Sequence, residues 1–492
     1  MKILLASSEV HPFSKTGGLA DMVGALGKAL ANAGHEVVIV TPLYRGIRDK
    51  FPQLQRENWQ FNLPLGNQWI PGGLWSVDLQ SGLKVCFIDH PGYFDRPGIY
   101  QEKNISYPDN AERFIFFSKC VVHLARYLAW RPDLIHVHDW QSGLVPMLLM
   151  QQKYEGWGNP PPTCLTIHNL AYQGVFPAEA YDLANSSREF FMPDGAEFFG
   201  FLNCLKAGIA FADVITTVSP RYAREITTEE YGCGLDGILR RRRERLFGIL
   251  NGVDYTEWNT TDNDNLFKPY SVTRPAGKKI NKLELQRTVG LPVNEFAPLF
   301  GTVSRLAEQK GVDIQLGALA EMLSANMQFV LLGSGSPDFE RGYHTLARRF
   351  PDKVAVCIGY DEKLAHRIEA ACDFYLMPSQ FEPCGLNQMY SLRYGAIPVV
   401  RATGGLDDSV IDYAQDPTHA NGIKFHEYSP TALAKAIRKA LAIYDRPELF
   451  RRYRRNAMKV DFSWEKTVNE YGRVYELAMN YRGGNVGIYY FK

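Results

Sequence analysis

Short, near-continuously apolar runs of strand length recur along the chain in two series, each interleaved with amphipathic helical patterns. The first series is 3–6, 37–40, 85–88, 134–138, 164–167 and 214–218; the second is 299–303, 329–332, 354–358, 374–377 and 397–400. Strands apolar along their whole length are strands covered on both faces. Such strands run parallel, and parallel neighbours need a helical crossover. Between the first two runs Leu19, Val23, Leu26 and Leu30 recur at helical spacing, and Gly34 stops the helix. Helical patterns near 314–323, 339–350, 364–371 and 386–394 serve the second series. The alternation predicts an α/β chain of two Rossmann-like, doubly wound domains, and 492 residues exceed one ordinary core. The domains are expected at 1–250 and 251–465, followed by a C-terminal helix and tail over 466–492; the helical pattern itself begins at Trp464 and runs to Met479. The polar stretch 259–279 has no periodicity and reads as linker or surface loop, and 480–492 follows no pattern.

Net charge is +1, so no global field draws the chain to nucleic acid or an anionic membrane. Arg240–Arg245 reads as a solvated helix face. The eight cysteines are scattered without a C-x-x-C pair, which predicts reduced, mostly buried thiols rather than a disulfide frame or zinc site. The opening residues are too briefly apolar for a signal peptide, with Glu9 interrupting them, and no window suits a bilayer span. A cytoplasmic protein is expected, or a plastid stromal one where a transit peptide precedes this sequence.

Ligands of doubly wound sheets bind beyond the carboxyl ends of the strands, and the unusual residues sit in those loops. Lys15-Thr16-Gly17-Gly18-Leu19-Ala20-Asp21 opens a helix with paired glycines and a lysine, suited to an anion at a helix N-terminus. A plain turn, with Asp21 as a first-turn acid, is the bland reading. The loop is neither a dinucleotide nor a Walker A fingerprint. Arg305-Leu306-Ala307-Glu308-Gln309-Lys310-Gly311 places two cations where a departing diphosphate needs neutralising without a metal. Thr403-Gly404-Gly405-Leu406 repeats the glycine logic, although Asp407 and Asp408 oppose an anion unless they turn away. In the loop from Pro378 to Gln388, Glu382 precedes a proline, extended and able to accept from sugar hydroxyls. His136 and His138 share a strand face, which invites a metal reading, but no further ligand spacing follows. Asp139 with Trp140, and Tyr93, Phe94 and Tyr100 with Asp95 and Arg96, offer the carboxylate-plus-aromatic chemistry of carbohydrate platforms.

These loops together resemble the bacterial glycogen synthase and plant starch synthase family, retaining glycosyltransferases of the GT-B fold. The matching text is KTGGLADM at Lys15, YFDRPGIY at Tyr93, HVHDWQSGL at His136, TIHNLAYQGVF at Thr166, ILNGVDYTEW at Ile249, SRLAEQKG at Ser304, FEPCGLNQ at Phe381 and ATGGLDDSV at Ala402. Eight matches in order across nearly the whole chain are highly specific.

The resemblance implies ADP-glucose in a cleft between the domains and an α-1,4-glucan (glycogen, starch or malto-oligosaccharide) as acceptor. It implies no cofactor, no metal and no nucleic-acid or membrane partner. His168, Arg305, Lys310 and Glu382 are the implied catalytic residues. Lys15, Gly17, Gly18, Asp21, Asp139, Asn251, Tyr360, the run Cys384, Gly385, Leu386 and Asn387, and the run Thr403, Gly404, Gly405 and Leu406 are the implied nucleotide-sugar contacts, with Tyr360 facing adenine. Tyr93, Tyr100 and Trp140 would line the acceptor side. The C-terminal helix would cross back onto the first domain. The second glutamate of the wider GT-B E-x7-E pattern is replaced by Tyr390, as this family also lacks it. Asn387 stands where many bacterial members have threonine, and Gln141 where histidine is frequent. The rival readings are a GT-B transferase using UDP-glucose or another nucleotide sugar, and a non-catalytic glucan-binding relative.

Overall fold

We number the strands of the two main sheets in chain order. In this computed structural model, which describes residues 1–103 and 105–483, the first apolar run becomes β1 (Lys2–Ala6), at the middle of a nine-stranded sheet. Its partners are β2 (Glu36–Pro42), β3 (Gln55–Leu65), β4 (Gln68–Gln80), β5 (Leu83–Asp89), β6 (Leu134–His138), β7 (Thr163–Ile167), β8 (Val214–Thr217) and β9 (Leu246–Gly248), in the spatial order β9-β8-β7-β6-β1-β2-β5-β4-β3. All neighbours are parallel except the edge pairs β3/β4 and β4/β5. The second sheet holds β10 (Leu299–Val303), β11 (Gln328–Gly333), β12 (Val354–Ile358), β13 (Phe374–Met377), β14 (Ile397–Arg401) and β15 (Ile423–Phe425), all parallel, in the order β12-β11-β10-β13-β14-β15. That is the doubly wound order with its switch between β10 and β13; in the first sheet the switch lies between β1 and β6.

The chain forms two units. The first comprises Met1–Val218, Ala223–Gly252 and the C-terminal segment from Trp464; the second comprises Ser219–Tyr222 and Val253–Ser463. The C-terminal helix, Trp464–Gly483, packs on helix Gly18–Asn32 of the first unit and buries Tyr471 and Tyr475 completely. Of the patternless stretch 480–492, residues 480–483 complete this helix, and 484–492 lie outside the described residues.

Every expected strand forms, within two residues at each end. Three expectations change. The edge hairpin β3–β4 was not anticipated: its sequence has few β-branched residues, and Pro64 and the pair Gly72-Gly73 break the pattern. Gly72 is needed there because the Phe61 ring lies 2.4 Å from where its Cβ would be. The stretch 259–279 is no loose linker. Leu266 and Tyr270 are buried in it, the Tyr270 hydroxyl donates to the Tyr394 carbonyl at 2.8 Å, and its last residues begin helix Ala276–Thr288. The basic run is not uniformly solvated. Arg242 is buried, its guanidinium donating to the Ala210 and Ala212 carbonyls at the end of helix Cys204–Phe211, where four carbonyls lack helical partners. Six of the cysteines are buried and all eight are free thiols. No helix among the described residues is long and apolar enough to cross a membrane.

Candidate active site

In the first unit the loop after β1 leads into helix Gly18–Asn32. Gly17 is the N-cap, extended and without a side-chain cap, so the first N–H groups of a fifteen-residue helix lack side-chain partners there. A Cβ at Gly17 or Gly18 would meet nothing within 4 Å, and neither residue has positive φ. The protein's own packing gives no reason for glycine at either position, and both leave the backbone open to close approach. Lys15 lies beside this opening, bridged to Asp21 at 2.8 Å and half exposed. That bridge gives Asp21 a role beyond a first-turn acid.

The loop is held from below by Glu9. This buried carboxylate accepts from the Thr16 N–H, from the Thr16 hydroxyl at 2.6 Å, from the Gly17 N–H at 3.3 Å and from the Tyr100 hydroxyl at 2.6 Å. Sequence reasoning treated Glu9 only as an interruption of an apolar stretch. The legible signal was an acid placed three residues after a strand and six before the loop that opens at Lys15. Tyr100 thus serves the loop rather than an open surface. Glu9→Gln turns one of these acceptors into a donor facing donors. It is expected to destabilise the fold by about 1.5–3 kcal/mol and to raise the KM for donor more than it lowers kcat, read by urea unfolding and steady-state kinetics. Tyr100→Phe should do the same more weakly.

On the other side of the switch point, β6 is followed by Asp139 at φ 55, a strained conformation for a non-glycine residue. Its carboxylate accepts the His168 N–H at 2.7 Å, and its own N–H donates to the Thr166 carbonyl. Burial lifts the Asp139 carboxyl to about 7, against the lowering by the N–H groups of His168 and Asn169, with Glu9 adding to the rise. His168 lies at the end of β7, its Nε2 3.1 Å from His138 Nδ1. His136 uses both nitrogens, one with the Tyr475 hydroxyl at 2.9 Å and one with the Thr166 hydroxyl at 2.6 Å. The three histidines form a ladder in which His136 has both nitrogens engaged and His138 bonds through Nδ1, its Nε2 without a partner among the described residues. Burial holds His136 and His168 down at about 3 and His138 well below its usual value. His168 is therefore a neutral imidazole at neutral pH, a hydrogen-bonding group rather than a cation. Trp140 packs edge-on to Phe114 and over Gly174, and Tyr93 stacks on His90 with its hydroxyl 3.3 Å from Glu112. Asn251, buried in this unit, leaves its Oδ1 without a hydrogen-bond partner among the described residues, a place for a donor hydroxyl.

In the second unit a cavity of about 190 Å³ opens at the switch point between β10 and β13, lined by Arg305, Lys310, Ser379, Glu382, Gly385, Leu386 and Asn387 among others. Six of the expected site residues thus meet in one pocket. Lys310 Nζ lies 2.6 Å from Glu382 Oε2, which also accepts from the Ser379 hydroxyl at 3.0 Å. Glu382 is buried, not a surface acid. Arg305 makes no ion pair among the described residues and is exposed at the mouth. Asn387 lines the pocket but sends its Nδ2 to the Val303 carbonyl at 2.7 Å and the Tyr375 hydroxyl at 3.0 Å, tying two strand ends together.

The Thr403–Leu406 glycines have a different cause from those at 17 and 18. A Cβ on Gly404 would lie 2.0 Å from the Glu382 carbonyl, and one on Gly405 2.0 Å from the Cys384 carbonyl. The Gly405 N–H donates to the Glu382 and Pro383 carbonyls, and the Leu406 N–H to the Thr403 carbonyl. These two N–H groups are engaged within the protein, and the glycines let this turn seat against the loop carrying Glu382. Asp407 and Asp408 do turn away, the first to Lys424 at 2.8 Å, the second to the Arg221 N–H at 2.6 Å. Cys384 is buried and, like Tyr360, is not among the residues lining the pocket; Tyr360 is 80% exposed just past β12.

Two families match the two units: the starch synthase catalytic domain over residues 2–241, and glycosyl transferases group 1 over 289–460. The chain is 43% identical over 484 residues to a glycogen synthase of Syntrophotalea carbinolica, covering 97% of this chain and 99% of that one. It is 46% identical to a glycogen synthase of Anaeromyxobacter dehalogenans, covering 96% and 99%. The chain belongs to the glycogen synthase family. It shares the GT-B fold of that family: the catalytic domain of starch synthase IV from Arabidopsis thaliana, solved with ADP and acarbose, matches with a TM-score of 0.86 at 34% identity, over 97% of this chain and 99% of that one. As a glycogen synthase family member, the protein is a glycosyltransferase whose first unit carries the starch synthase catalytic domain and whose second carries the pocket of Arg305, Lys310 and Glu382.

Proposed function

We propose that the protein transfers glucose from ADP-glucose to the non-reducing end of an α-1,4-glucan, with retention of anomeric configuration. The observation that carries this reading is the second-unit pocket, in which Arg305 and Lys310 meet beyond the strand ends of a doubly wound sheet. Two fixed cations in a partly enclosed site stabilise the charge that develops on a departing diphosphate. Lys310 is pre-positioned by its ion pair with Glu382. Glu382 is the one carboxylate lining that pocket, and its engagement with Lys310 and Ser379 makes it a partner for sugar hydroxyls rather than a nucleophile. A same-face attack by the acceptor 4-hydroxyl, with its proton passing to the departing diphosphate, then needs no enzyme nucleophile. The ligands found on the Arabidopsis starch synthase IV, ADP and acarbose, agree with a nucleotide donor and a glucan acceptor.

In the first unit, the open glycines Gly17 and Gly18 with Lys15 serve the donor's anionic part. Neutral His168 and the unpartnered Oδ1 of Asn251 serve the transferred glucose. Tyr360 offers its exposed ring to adenine.

The deciding experiment is transfer of labelled glucose from ADP-glucose and from UDP-glucose, with and without glycogen primer, in buffer containing EDTA. Primer-dependent incorporation from ADP-glucose, undiminished by EDTA, is the expected result. Preference for UDP-glucose would replace the donor, and glucan binding with no ADP release would make the protein a binding relative. Loss of activity on chelation, restored by Mg²⁺ or Mn²⁺, would overturn the metal-free mechanism.

A further inference from the structure

Within the second unit, Glu257, Glu362 and His366 each bring one possible ligand atom to within 4.8 Å of the others. Glu362 and His366 are four residues apart on helix Glu362–Ala371 and so project from one face. Glu257 comes from the turn at 254–258, where the N–H groups of Glu257 and Trp258 both reach the Asp254 carbonyl, at 3.3 and 2.8 Å. Both glutamates are exposed; His366 is fully buried.

The imidazole of His366 is half satisfied. Nδ1 lies 2.8 Å from the Tyr394 hydroxyl and 3.3 Å from Asn263 Nδ2, which also donates to that hydroxyl at 3.0 Å. Nε2 is buried without a hydrogen-bond partner among the described residues. An unpartnered buried polar atom costs about 1–3 kcal/mol and calls for an explanation. The ring cannot readily swing to find a partner. Trp258 stacks on it at 4.1 Å and 16°, and Trp258 itself stacks on Tyr390 at 3.7 Å and 4°. The indole that fixes the ring also anchors the turn bearing Glu257. Burial lowers the basicity of His366, with Glu362 acting against it, and neutral imidazole is the form that ligates metals.

We propose that Glu257, Glu362 and His366 bind a divalent transition-metal ion, Zn²⁺ fitting best, which ties the 254–258 turn to helix Glu362–Ala371. One imidazole nitrogen with two carboxylates suits Zn²⁺ and its neighbours; Mg²⁺ and Ca²⁺ favour all-oxygen shells. Ligand bonds of about 2.0–2.2 Å require the three atoms to draw closer around the stacked imidazole. Ligation through Nε2 places the ring proton on Nδ1, where it donates to the Tyr394 hydroxyl, the outer-shell support usual for a ligating histidine. None of the three residues lines the pocket of Arg305 and Lys310, so this ion is structural and separate from glucosyl transfer.

The test uses the full chain, freed of metal by EDTA and dialysed. Zn²⁺ titration by calorimetry should show one saturable equivalent and a raised Tm. Co²⁺ should give a visible absorption band that Zn²⁺ abolishes. In Glu257→Gln/Glu362→Gln the affinity should fall by about 100-fold or more and the Co²⁺ band vanish, with circular dichroism and glucosyl transfer unchanged. No saturable equivalent in the parent protein would overturn the proposal. So would a band that survives in the double variant, which would place the ion elsewhere, as at exposed Cys233 or the Asp416–His419 pair.

Discussion

Lys310→Ala is expected to lower kcat by about 10²–10³, the range found when one fixed charge-stabilising group is removed, while the protein remains folded. Glu382→Ala should lower it to a similar degree, because the two act as a pair. Without Glu382, the Lys310 ammonium loses the 2.6 Å contact that aims it into the pocket. Without Lys310, the buried carboxylate keeps only the Ser379 hydroxyl as a side-chain partner among the described residues. The pair is only partly enclosed, so its loss destabilises less than the 3–5 kcal/mol seen when a fully buried pair is broken. A domain stability of about 5–15 kcal/mol absorbs that. The double variant should therefore be scarcely worse than either single one. Near-normal kcat in both single variants, with native circular dichroism, would remove the pocket from the mechanism.

The second large effect is on stability against pH. Below about 6.5, His136, His138 and His168 take up protons in the unfolded chain, whereas burial holds all three neutral in the folded one. Each then adds about 1.4 kcal/mol of stability per unit of rising pH. Asp139 works the other way. Its folded value of about 7 exceeds the unfolded one, so between about 4 and 7 the folded state holds the extra proton and stability falls with pH. Three contributions of one sign and one of the other leave a rise worth about two protons, roughly 3 kcal/mol per pH unit, around pH 5 from these four groups. Urea unfolding from pH 4.5 to 7 measures it. His136→Gln/His138→Gln should flatten the slope by about two protons; an unchanged slope would mean the ladder titrates when folded.

The parallel strands were legible in the sequence because burial on both faces writes itself as continuous apolar text, as in Leu299–Val303. The hairpin β3–β4 was not, since an edge pair needs no such run and its register is set by turn and packing. At the candidate site, sequence placed Arg305, Lys310 and Glu382 near one another through the topology of their loops. It did not separate two kinds of glycine pair. Gly17-Gly18 and Gly404-Gly405 look alike as text, yet the first opens onto space and the second is pressed against the Glu382 and Cys384 carbonyls. Nor did it reveal that Tyr100 turns inward to Glu9, because a tyrosine's hydroxyl partner lies ninety-one residues away in sequence.

The helix Trp464–Gly483 belongs to the first unit although it follows the whole of the second in the chain. On a ribosome, strands β1 to β9 emerge hundreds of residues before the helix that carries Tyr475 to His136 and Arg482 toward Asp213. The second unit has its whole sequence by Ser463. Synthesis therefore completes the second unit while the earlier-made one still waits for this helix, so a premature stop near residue 463 would strip a wall from the unit whose strands were translated first.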